Sequence, residues 1–325
     1  MEIGGYFNIE IHPKDHYLHE DGIFVNSGRH ALEYVLKTIP RIDCLYIPNY
    51  TCRVVKVLIE KLSIRYEEYE ITKDFRLAKD IELGNYDYIL YTNYFGILDS
   101  YVFDLSKTYG DKLIVDNAQA LFSKPIERIR TVYSPRKFIG VADGGIAYSP
   151  TEFIGDLEET DISVERSAYL LSRFDYPSIK GYAASKDSNK TIEEVGLKKM
   201  SNLTKSIYKS VDFAFIKERR VQNFIYLHKH LCDINEICIP SLDDFECPMV
   251  YPLYVDREGL QKKLIDNGIF VAVYWPYVIQ TCKEDSVAVD LAKHIIALPI
   301  DQRYGQKEME YIVECVNKNY AEGKF

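Results

Sequence analysis

The chain has 325 residues, room for about two domains at roughly 150 residues each, and a 47% hydrophobic share that supports a sizeable core. A formal net charge of −9 argues against broad, sequence-independent nucleic-acid binding, although a local basic pocket can still take an anionic small molecule. The seven Cys form no CxxC pair, no stretch approaches the roughly 20 apolar residues of a membrane span, and the charged N-terminus lacks the apolar core of a signal peptide, so a reducing cytoplasm with free thiols is expected.

Residues 1–22 read as an irregular or hairpin-like lead-in. His12, His16 and His19 fall there, in a polar, Pro-containing stretch that reads as a solvated arm rather than a metal site. Residues 23–39 read as a strand end, a turn and a helix capped by Ser27, with Ala31, Leu32, Val35 and Leu36 on one face. Strand-like runs follow at 44–50, 64–70 and 86–96, with a helix at 51–62. KLIVDNAQA (112–120) is an apolar run closed by an acid, and 131–138 and 144–150 look like two further strands around a Gly-rich turn. Such alternation predicts a mainly parallel α/β sheet buried on both faces. From about 155 to 235 the pattern is helical and charged. Strand-like pieces at 249–255 and 268–276, a helix at 258–268 and a last helix at 307–320 predict a smaller α+β domain. The division is placed at 1–205 and 206–325.

Three segments lie where strands end, which is where open α/β sheets bind ligands. Asp116 follows a buried run directly, and a carboxylate there is costly unless it meets a cation. A helix cap facing solvent is the alternative reading. Gln119 reaches the same ligand if the chain turns helical after Asp116. Lys137, among aromatic and apolar neighbours, is placed for desolvation, which lowers an amine pKa and favours Schiff-base chemistry. A surface lysine is the alternative. Ser27, Gly28 and Arg29 open a helix whose free N–H groups and dipole suit an anion, and they equally make an ordinary cap.

In this order the segments resemble fold-type I pyridoxal-phosphate (PLP) enzymes, and more narrowly the DegT/DnrJ/EryC1/StrS sugar aminotransferases. The family's Ser-Gly-Thr-Ala-Ala-Leu-like phosphate motif is similar to Ser27-Gly28-Arg29-His30-Ala31-Leu32. Its Asp-x-Ala-(His/Gln)-Ala motif is similar to Asp116-Asn117-Ala118-Gln119-Ala120. Its Schiff-base segment and Gly-Gly turn resemble Ser134-Pro135-Arg136-Lys137 and Asp143-Gly144-Gly145. Supporting matches are Pro48-Asn49-Tyr50-Thr51-Cys52, Tyr94-Phe95-Gly96 and Leu298-Pro299-Ile300.

The resemblance implies a fold-type I transferase: a three-layer large domain with a mainly parallel sheet, then a smaller α+β domain. It implies PLP on Lys137, the ring nitrogen on Asp116, the ring's phenolic oxygen on Gln119, and the phosphate on Ser27, Gly28, Arg29 and Ser134. The implied reaction is transamination between a small-molecule amino donor and a nucleotide-linked keto-sugar, in polysaccharide biosynthesis, by a homodimer. A dehydratase, a racemase and a catalytically silent binding protein are the rival readings. Retention of Lys137 argues against the family branch that deoxygenates sugars. Two departures stand out. Cys52 occupies the position where the family stacks an aromatic ring on the cofactor, leaving Cys52 or Tyr50 to cover it. The family's cross-subunit Asn-Tyr-Arg-Met segment is replaced by Leu197-Lys198-Lys199-Met200-Ser201.

Overall fold

A computed structural model describes residues 3–257 and 259–321. In chain order the elements are β1 (Ile23–Val25), α1 (Gly28–Leu36), β2 (Cys44–Pro48), α2 (Arg53–Lys61), β3 (Tyr66–Tyr69), β4 (Asp87–Thr92), α3 (Asp99–Tyr109), β5 (Leu113–Asn117), β6 (Arg130–Tyr133) and β7 (Gly145–Tyr148). Then come α4 (Ala168–Asp175), α5 (Ser178–Val195), α6 (Asn202–Ser210), α7 (Phe213–Leu231), β8 (Val250–Tyr254), α8 (Leu260–Asp266), α9 (Val278–Thr281), α10 (Val287–His294), β9 (Ile295–Pro299) and α11 (Gln306–Ala321). Among the described residues, no helix is long and apolar enough to cross a membrane.

Seven strands form one sheet in the order β1-β7-β6-β5-β4-β2-β3. β2 through β6 pair in parallel. Their apolar runs have a simple cause, which β5 illustrates. Leu113 and Val115 point into a core shared with α3 and the C-terminal segments, while Ile114 points into a second core with α1 and α2. With both faces covered, each position of the strand must be apolar. β7 runs antiparallel to both β6 and β1. The connection from β6 is too short for the crossover helix that parallel pairing needs, so the chain turns back through Gly144, at φ +127°.

β8 and β9 form a separate antiparallel pair. Their core is continuous with the α3 side of the large sheet, and residue 206, the expected boundary, lies inside α6. The expected strand at 268–276 does not form. Gly268, at φ +80°, ends α8, and only Ala272 bridges Ala297 in that stretch. The chain then turns Tyr274 and Trp275 against Phe95 and Tyr50 of the larger part. The helix expected at 258–268 spans Leu260–Asp266; Glu258 lies outside the described residues.

Candidate functional site

The carboxyl ends of the parallel strands converge on one crevice, whose two ends differ. At the first, Ser27 caps α1: its Oγ accepts from the His30 backbone N–H at 3.1 Å and is 3.0 Å from His30 Nδ1. His30 is 1% exposed, and burial, aided by Arg29 and Lys61, lowers its pKa to about 4, so the ring is neutral. Ser134, after β6, lies against the first turn of α1, since a Cβ on Gly28 would come within 2.9 Å of its Cβ. Gly145 passes closer still, and a Cβ there would sit 2.0 Å from the Ser27 carbonyl oxygen. The result is a shallow cup of free helix N–H groups and a serine hydroxyl, suited to an anion.

The cup is held from behind. Asp143, fully buried, accepts from the Ser201 N–H at 2.8 Å, the Ser201 hydroxyl at 2.7 Å and the Thr204 hydroxyl. Asn26 donates to Gly196 O at 2.8 Å and accepts from the Lys198 N–H at 3.2 Å. These residues wire the Gly-Gly turn and the cup to residues 196–204. Sequence reading passed over Asp143 and Asn26, although a polar residue beside a Gly-Gly turn and another beside a cap were visible signals. Arg29 points elsewhere: its Nη2 donates to Glu193 Oε1 of α5 at 2.5 Å. Arg136 is likewise held by α5, donating to Asn189 Oδ1 at 2.6 Å.

At the other end stands Asp116, paired in register with Thr92 of β4 and Val132 of β6. Its carboxylate accepts from the Ala118 N–H at 2.8 Å. Burial pushes its pKa up, and the Lys137 ammonium pulls it back down. Asp116 and Lys137 are thus within electrostatic reach of each other, though they form no ion pair. Lys137 ends a short 3-10 turn (Pro135–Lys137). Phe138 and Ile139 beside it are buried, but Lys137 itself is exposed, against the burial expected from its neighbours. It makes no side-chain hydrogen bond or ion pair among the described residues.

The chain after Asp116 forms a turn, so the helix on which the reach of Gln119 depends is absent there. Gln119 is nevertheless 1% exposed, with Oε1 accepting from the Phe95 N–H at 2.7 Å. Its Nε2 has no partner. Nor do the buried polar atoms Asn49 Oδ1, Thr51 Oγ1, Thr92 Oγ1 and Asn117 Oδ1, all just at or beyond the carboxyl ends of β2, β4 and β5. Buried polar groups normally find partners, and each one without costs about 1–3 kcal/mol. Five such atoms gather at these strand ends, a setting suited to a polar ligand; the others lie on Arg29, Glu33, Arg136, Arg166 and Ser188.

Of the two residues expected to cover such a ligand, Tyr50 is fully buried. Its hydroxyl donates to the Tyr274 carbonyl, and its ring stacks on Tyr94 with centroids 5.7 Å apart. Cys52, half-buried at the start of α2, packs against the α1–α2 core. Gly96, at φ +70°, lets the aromatic-Gly loop approach the Gln119 carbonyl, where a Cβ would come within 2.8 Å. No group of three or more potential metal ligands occurs among the described residues.

No protein-family model and no curated protein matches the sequence. Solved structures do. The chain is similar to the sugar aminotransferase CalS13 from Micromonospora echinospora, at 16% identity and TM-score 0.64 over 91% of this chain and 87% of that one. It is similar to NtdA from Bacillus subtilis, with bound cofactor PMP, at 14% identity and TM-score 0.65 over 92% and 73%. It is also similar to a DegT DnrJ EryC1 StrS aminotransferase from Brucella abortus, at 14% and 0.61 over 91% and 85%. The shared feature is the fold, and with it the expected fold-type I α/β architecture.

Proposed function

We propose that the chain is a PLP-dependent aminotransferase whose acceptor is a nucleotide-linked keto-sugar. One arrangement supports the reading: Lys137, without an ion pair or side-chain hydrogen bond among the described residues, lies within electrostatic reach of Asp116, with the partnerless Gln119 Nε2 at the same strand end and the Ser27–Gly28–Ser134 cup at the neighbouring one. The residues fit the cofactor. The Gly28 and Arg29 N–H groups and the Ser134 hydroxyl would hold its phosphate, Gln119 Nε2 would donate to its ring oxygen, and Cys52 would cover one face. Arg29 joins the phosphate only by giving up Glu193.

Bound PLP supplies an electron-withdrawing ring that stabilises negative charge at the carbon bearing the amino group. Everything else is done by the chain. Asp116 would hold the proton on the ring nitrogen, which is what makes the ring withdraw electrons. Lys137 would hold the cofactor until the nitrogen of the amino donor takes its place, and its released amine would then carry a proton as base and acid. Residues 1–205 supply these groups, and 206–325 close the crevice with Tyr274 and Trp275.

The sugar acceptor is supported by the printed descriptions of the neighbours, and the nucleotide link and a role in polysaccharide biosynthesis extend it. A homodimer is supported by apolar side chains left open along the α4–α5 hairpin, with Phe174 88% and Ile179 79% exposed, in a cytoplasmic protein with free thiols. Borohydride reduction after incubation with PLP, followed by peptide mass mapping, tests the cofactor site. Mass added at Lys137 is expected; mass on another lysine, or none, refutes it. A screen of amino donors and keto-sugar nucleotides then tests the reaction, and sedimentation at micromolar concentration tests the dimer.

A further inference from the structure

Arg220, on α7, is 2% exposed and forms no ion pair among the described residues. Its Nη1 donates to Met249 O at 2.9 Å and its Nε to Gln302 Oε1 at 3.1 Å, while its Cζ lies 4.7 Å over the Phe138 ring. Asp301 lies within electrostatic reach of the guanidinium but does not contact it, and burying such a cation without a contacting anion is costly. Its hydrogen-bond partners point to a positioning role as well.

From Met249 the bonds run on toward Gln119. The Met249 N–H donates to Phe95 O at 2.7 Å, and the Phe95 N–H donates to Gln119 Oε1 at 2.7 Å. In the other direction, Gln302 Nε2 donates to Phe138 O at 2.8 Å, one residue beyond Lys137. The loop carrying Gln302 is itself fixed to α7, because Asn223 Nδ2 donates to Ile300 O and Tyr304 O, both at 3.1 Å. Gln119 and Lys137 follow different strands and share no bond of their own, yet this run joins them through the C-terminal part.

Resting on the PLP reading above, we infer that Arg220 is a positioning residue: with Met249 and Gln302 it closes a hydrogen-bonded strap that holds Gln119 and Lys137 at a fixed spacing across the crevice. The fork geometry of a guanidinium lets one side chain serve a carbonyl on one side and an amide on the other. The strap also explains why Gln119 presents Nε2 to the crevice, because Phe95 engages its Oε1.

Gln302→Glu separates positioning from bulk stability. A carboxylate still accepts from Arg220 Nε, and pairs the buried cation, but has no proton for Phe138 O. Its melting temperature should be no lower than that of the native chain. Amide exchange across 135–139 should quicken by about tenfold while 93–96 stays slow, the scale of one hydrogen bond to a charged network. Arg220→Lys, which loses the fork, should quicken both stretches. With PLP added, both variants should show a dissociation constant raised by about tenfold and a displaced pH midpoint of the visible band. Native exchange at 135–139 in Gln302→Glu would overturn the strap, as would a native PLP dissociation constant in both variants. If the native chain takes up no PLP, the functional reading falls, and the exchange pattern alone judges the strap.

Discussion

The two ends of the crevice solve opposite problems. The cup is close-packed and internally bonded: Ser27 is engaged by His30, Gly28 touches Ser134, Gly145 touches Ser27, and Asp143 is saturated from behind. The strand end around Asp116 is under-bonded, with partnerless polar atoms on Thr51, Thr92, Asn117 and Gln119. A rigid cup binds an anion through backbone groups that need no further adjustment. An under-bonded edge is unfavourable until a ligand arrives, so its energy is released on binding. Substitutions in the cup should therefore change stability, and substitutions at the edge should change ligand binding and rate.

The largest effect is expected at Lys137. Lys137→Ala removes the covalent anchor and the proton carrier together, and activity should fall by at least about 10⁴-fold while the urea midpoint stays within error. Near-native turnover would remove Lys137 from the site. Asp116→Asn keeps the shape and loses the charge; a fall of about 10²–10³-fold in kcat, with modest cofactor loss, is expected in steady-state assays.

Gly145→Ala tests the cup. Its Cβ would meet backbone at 2.0 Å, which no rotamer relieves, so unfolding free energy should drop by about 3 kcal/mol or more in denaturant titrations. A silent substitution there would mean that the cup is loose. His30 adds a pH signature. Its folded pKa of about 4 lies below the 6.5 of the open chain, so the unfolded state binds a proton first. Stability should be full above pH 6.5 and decline as pH falls toward 4, by at most about 3 kcal/mol from this group. His30→Asn should flatten that slope; an unchanged slope would assign the acid sensitivity to other groups.

The smallest effect sharpens the contrast most. Thr92→Val is isosteric and deletes a hydroxyl without a partner. Without ligand the protein should be stabilised by about 1 kcal/mol or left unchanged, while PLP uptake weakens. A loss of stability in the ligand-free variant would show that the hydroxyl is already satisfied.

Much of this molecule is written locally in its chain. The run ending in Asp116, the cap at Ser27, the Gly-Gly turn and the lysine after Ser134 are short patterns, because a strand buried on both faces must be apolar and a helix start must satisfy its own N–H groups. Those patterns suffice to expect Asp116 and Lys137 at the ends of strands, and β5 and β6 are neighbours in the sheet. Tertiary structure alone decided the rest. Tyr50 and Cys52 are near neighbours in sequence, yet packing against Tyr94, Tyr274 and Trp275 buries the first and leaves the second half-exposed. Arg29 looks like an anion ligand until α5 brings Glu193 to it. Arg220 carries no local signature at all, since its meaning lies in bonds to Met249 and Gln302, and through Gln302 to Phe138. Periodicity and caps record interactions within a few residues, whereas a strap between distant segments exists only once the sheet has formed and the C-terminal part has docked on it.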